Sequence, residues 1–180
     1  MINEENKSQN HMFYSGHILV LMIWIQNVNA DLVILKEDNS VLESFSLDNS
    51  ERIEFRNKRL EYWQKSFPDI KKKFAELFPL HYEKYQEDIE TLQHLRDFFA
   101  HARYSLKFPM IRYQPTKSRK DLEQKVSQLT NQPYDENQTF LKIEMNEENY
   151  QRLFNSLMKF ENEIFPEIAL EMNVNLNRFK

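Results

Sequence analysis

Apolar residues follow two different rhythms along this chain. Between residues 13 and 36, Ile18, Leu19, Leu21, Met22, Ile25, Val28, Leu32 and Leu35 recur at three- and four-residue steps, the repeat of a buried helix. "EDNSVLESFSLDNS" (37–50) is rich in Asp, Asn and Ser and predicts a loop. A second helix is predicted over 50–67, capped by Asp48 or Ser50, with Ile53, Leu60, Trp63 and Phe67 on its buried side. Pro68 suits the start of a short helix over 69–78, and Pro79 closes it. A long helix over 81–107 follows. The rhythm then changes, because "MIRYQP" (110–115) and "TFLKIEM" (139–145) alternate as short strands do. Between them, 118–130 reads as a polar, charged helix or a mobile excursion. Asn146 is a good N-cap, with Glu147 and Glu148 in the first turn of a last helix. That helix runs through Tyr150, Leu153, Phe154, Leu157, Phe160 and Ile164, and Pro166 kinks it before it ends near Met172.

These elements predict an all-α fold, an up-down bundle of four to five helices with a small β-hairpin-like insertion before the last one. Residues 1–11 are expected as a flexible polar tail and 12–180 as a single helical domain. Composition narrows the chemistry. The chain has 180 residues and one glycine, Gly16. A phosphate-cradling loop, a dinucleotide fingerprint and a nucleophile elbow all need more glycine than that. There is no cysteine, which excludes disulfides, zinc–thiolate sites and thiol nucleophiles and suits a cytoplasmic setting. "MINEENKSQN" lacks the basic start of a secretory signal. The apolar run "ILVLMIWI" is far short of the roughly 20 residues of a membrane span, so no membrane association is expected. The net charge is −4, unevenly spread. From Arg96 to Lys120 there are seven Lys/Arg against one acid, Asp97, which points to an anionic partner.

The stretch "LQHLRDFFAHARYSL" (92–106) concentrates the candidate chemistry. On a helical wheel Leu92, Leu95, Phe99, Ala102 and Leu106 share the core stripe, while His101 lies about 180° from Leu92. Arg96, Arg103 and Lys107 form a basic ridge, and Glu90, His94, Asp97, His101 and Tyr104 a titratable strip. Asp97 and His101, at i and i+4, can meet, and a carboxylate there would hold one imidazole tautomer for proton transfer. Arg96 and His101 diverge by about 140° on a straight helix, so a distorted turn, a long reach or a second copy is needed to bring them together. Glu90, His94, Asp97 and His101 also offer carboxylate and imidazole ligands along one face. The chain nonetheless has no E-x-x-H pair of the kind that bundle metal sites use, and no metal or cofactor is expected.

"LRDFFAH" resembles the R-x4-6-H signature of HEPN domains (higher eukaryotes and prokaryotes nucleotide-binding), in which a polar residue follows the arginine. Arg96, Asp97 and His101 fill those three places. One toxin branch of that family has a tyrosine two residues after the histidine, where this chain has Arg103, with Tyr104 one later. The resemblance implies a helical bundle that forms a homodimer through the motif helix. It implies a metal-independent endoribonuclease of a toxin–antitoxin, phage-defence or RNA-processing system, with an antitoxin protein as a further partner. His101 would be the general base or acid, Arg96 would stabilise the phosphorane and Asp97 would orient His101. Arg103, Tyr104 and Lys107 would contact substrate. Family members that have lost catalysis imply the alternative, a module that binds nucleotide, RNA or a protein partner.

Overall fold

In a computed structural model of the chain, residues 4–46, 53–105, 110–113, 120–135 and 141–176 are described. The fold is all-α in class, mostly helical with one small three-stranded antiparallel sheet. Asp48, Ser50, Leu106 and Lys107, which figure in the expectations above, lie outside the described residues.

Helix α1 spans Glu4–Glu37 and is longer than its apolar core predicts. Its first turns, over 4–11, fall where the polar pattern predicts a tail. His11 is buried there with neither ring nitrogen hydrogen-bonded, and burial holds its imidazole below the usual pKa. By length and composition residues 7–37 could cross a membrane, yet 67% of the 18-residue apolar stretch within them is buried, as in a core helix. Gly16 sits on this helix with open space where a Cβ would be, beside exposed Met12, Phe13, Leu19, Val20 and Ile23.

The loop expected over 37–50 contains a helix, α2, Asn39–Ser46. Asp38 accepts hydrogen bonds from the Ser40 backbone N–H at 3.0 Å and its hydroxyl at 2.7 Å, so the polar residues act as a helix start. Val41 and Phe45, four apart, supply the buried side. Helix α3, Ile53–Trp63, reverses the expected face. Ile53, Leu60 and Trp63 are exposed, and Phe55 and Tyr62 are buried instead. Phe55 packs edge-on against Phe45 at 4.9 Å, and the Tyr62 hydroxyl donates to Glu37 at 2.6 Å. Helix α4, Phe67–Leu77, begins at a Ser66 cap with Pro68 in its first turn, so Phe67 opens this helix rather than ending the one before.

Helix α5, Pro79–His101, is broken at Tyr85 (φ −114°, ψ 18°) and stops six residues before its predicted end. Strands β1 (Arg103–Tyr104), β2 (Met110–Tyr113) and β3 (Leu141–Glu144) pair in that order, so the expected hairpin gains a third strand from residues assigned to the long helix. Helix α6, Lys120–Leu129, lies between β2 and β3 in sequence. Helix α7, Glu147–Lys159, has the expected cap, with the Asn149 N–H donating to Asn146 Oδ1 at 2.9 Å. A π-helical turn, Phe160–Ile164, precedes α8, Phe165–Glu171, and Pro166 sits in the first turn of α8.

The chain divides into two compact units. The first comprises Met1–Met22 and Glu90–Met158 and contains the sheet and the R-D-x-x-x-H motif. Its buried residues include Ile18, Leu95, Phe98, Ile111, Val126, Ile143 and Leu153. The second comprises Ile23–Ile89 and Lys159–Lys180, with Leu32, Phe45, Phe74, Ile89 and Phe165 among its buried residues.

Candidate functional site

Leu92, Leu95, Phe98 and Phe99 anchor the last turns of α5 in the core of the first unit. The ring of Phe98 meets that of Tyr113 at 5.4 Å, which ties the motif helix to β2. With that stripe buried, His101 is left exposed on the final turn, as the wheel predicts. It makes no hydrogen bond, ion pair or ring contact among the described residues. Arg96 and Asp97, adjacent in sequence, come within 4.0 Å of each other, with side chains 36% and 16% exposed. The i, i+4 pairing of Asp97 with His101 is not formed, so the carboxylate lies with the arginine and the imidazole stays open to solvent.

The three predicted substrate contacts separate. Arg103 is exposed on β1 rather than on a helical ridge, because α5 ends at His101 and the Ala102 N–H closes the last turn on the Phe98 carbonyl at 2.9 Å. Tyr104 follows on the opposite side of the strand. Its hydroxyl donates to the Phe99 carbonyl at 2.9 Å, and burial pushes it up to about 12. Tyr104 is therefore a tether between β1 and α5 more than an open phenol. Lys107 is outside the described residues. Among the described residues no group of three or more His, Asp and Glu is arranged to hold a metal ion, the Glu90–His94–Asp97–His101 strip included.

The sheet adds what the linear reading missed. Arg103 is directly opposite Arg112 on β2, and Arg112 is directly opposite Lys142 on β3. All three are exposed, while Ile111, Tyr113, Leu141 and Ile143 form the buried side. The alternation of "MIRYQP" and "TFLKIEM" marks Arg112 and Lys142 as outward-facing. The strand register that lines them up is set by tertiary pairing, which no local signal in the sequence carries.

No family model, curated protein or solved structure matches the chain.

Proposed function

We propose that this protein is a HEPN-like, metal-independent endoribonuclease whose working group is His101. The observation that carries the reading is the exposed, uncommitted imidazole at the end of α5, one turn beyond the half-exposed guanidinium of Arg96. RNA brings its own nucleophile, so the protein has only to move protons and stabilise charge. The 2′-hydroxyl attacks phosphorus and loses its proton. The P–O5′ bond breaks and the leaving 5′-oxygen gains one, leaving a 2′,3′-cyclic phosphate and a 5′-hydroxyl. His101 takes one of these proton transfers, and Arg96 offsets the charge on the phosphorane. Since the two side chains diverge on one helix, a homodimer through α5 would complete the site. In the same reading four to five of these helices form an up-down bundle, and the protein works in the cytoplasm beside an antitoxin protein. Asp97, lying beside Arg96, would steady the guanidinium until a second chain or bound RNA draws it to His101.

The test is cleavage of single-stranded RNA in the presence of a chelator. Cyclic phosphate ends are expected from the intact chain. His101→Ala and Arg96→Ala should each slow cleavage by about a hundredfold or more. A His101→Ala protein that cuts as fast as the intact one ends this mechanism. The second reading, a non-catalytic HEPN-fold module that binds nucleotide, RNA or a protein partner, is favoured by the missing Asp97–His101 contact and predicts binding without turnover.

A further inference from the structure

The outer face of the small sheet carries a straight row of three cations, Arg103–Arg112–Lys142, one from each strand. Residues directly opposite across antiparallel strands bring like charges together, an arrangement that works against the sheet. Edge strands often carry a charge that discourages pairing with another chain. That accounts for Arg103 on β1 and Lys142 on β3, the two outer strands. It does not account for Arg112, which sits on the central strand between them. We infer that this row is a binding track for the phosphodiester backbone of single-stranded RNA.

Three features fit that ligand. Neighbouring strands are about 4.8 Å apart, so the row is roughly 10 Å long, a footprint for a short run of phosphates on one strand. The next outward-facing pair, Met110 opposite Glu144, supplies one carboxylate at the end of the face, so among the described strand residues the cations outnumber the acid. The track also begins beside the proposed chemistry. Only Ala102 separates His101 from Arg103, which holds their Cα atoms within about 7.6 Å. The choice of RNA rests on the ribonuclease reading, whereas the row itself stands on strand register and exposure.

The probe is a short, fluorescently labelled, mixed-sequence 2′-O-methyl RNA. It has no free 2′-hydroxyl, so binding is measured with His101 intact and without turnover. The triple variant Arg103→Gln/Arg112→Gln/Lys142→Gln should bind at least about tenfold more weakly at low salt. The slope of log affinity against log salt should fall by about 2, near 0.7 for each cation removed. Its unfolding should stay cooperative, so that weaker binding is read on a folded chain. Arg112→Gln alone, the smaller perturbation, should lower the slope by about 0.7 if the triple variant does not fold. Unchanged affinity and slope in the variants overturn the track. Tighter binding of the intact chain to phosphatidylserine vesicles than to RNA, lost in the same variants, overturns it in favour of a lipid surface. Loss of binding in a chain that never cleaves RNA keeps the track and removes the ribonuclease. Cleavage with normal binding by the variants does the reverse.

Discussion

Two of the three histidines on helix α5, His81 and His101, sit in opposite surroundings, one on either side of its break at Tyr85. His81 is 9% exposed and held between two carboxylates, with Nε2 2.8 Å from Glu171 and Nδ1 3.4 Å from Glu167. Those carboxylates are themselves engaged. Lys84 and the Tyr85 hydroxyl hold Glu167 below the usual carboxylate pKa, and His81 and Lys36 do the same for Glu171. His101 is exposed and, among the described residues, has no such clamp. A histidine bound into a finished network has its capacity committed to the fold. One that the fold leaves open is available to a ligand.

That contrast can be broken most directly by exchanging its terms. His101→Ala should lower RNA cleavage about a hundredfold or more while shifting stability by under about 0.5 kcal/mol. His81→Ala should leave cleavage intact and cost about 1 kcal/mol in a urea titration. If His81→Ala silences cleavage and His101→Ala does not, the roles assigned to the two rings are reversed.

A second buried pair sharpens the contrast through pH. Asp31, 1% exposed, accepts from Arg59 Nε at 2.8 Å and Nη2 at 2.7 Å. Burial nevertheless pushes its carboxyl up to about 6 from 3.8. Between those values the folded chain binds more protons than the unfolded one, so this group's contribution to stability falls as pH rises through the window. The decline is on the order of 2 kcal/mol. Urea midpoints measured from about pH 4 to pH 6 should show the intact chain losing ground to Asp31→Asn by that amount. Parallel profiles would place the titration elsewhere. The smallest effect is expected in the first unit, where Asn146→Ala removes the α7 cap and should cost about 1 kcal/mol without changing RNA affinity.

Legibility followed the range of the forces involved. The cap at Asn146 and the outward turn of His101 are local and legible in the sequence, whereas Pro166, expected as a kink, sits in the first turn of α8 behind a π-helical turn. The α3 face inverted because Phe55 and Tyr62 found Phe45 and Glu37, partners distant in sequence. Helix α2 is hard to read in the sequence because its Ser and Asn residues predict a loop, while Val41, Leu42 and Phe45, at three- and four-residue steps, are the apolar signal that marks it. At the site, the motif is visible as a string of letters, but the apolar spacing predicts a helix to residue 107, and α5 ends at His101. That prediction places Arg103 on a helix, when its partners are Arg112 and Lys142 across a sheet.

The vacant notch at Gly16 makes one experiment simple. The chain has no thiol of its own, so Gly16→Cys would create a unique attachment point where the added atom meets no described residue within 4 Å. A spin label or environment-sensitive dye placed there would sit among Met12, Phe13, Leu19, Val20 and Ile23. It would report, without touching the α5 chemistry, whether anything settles on that oily ridge when RNA is added.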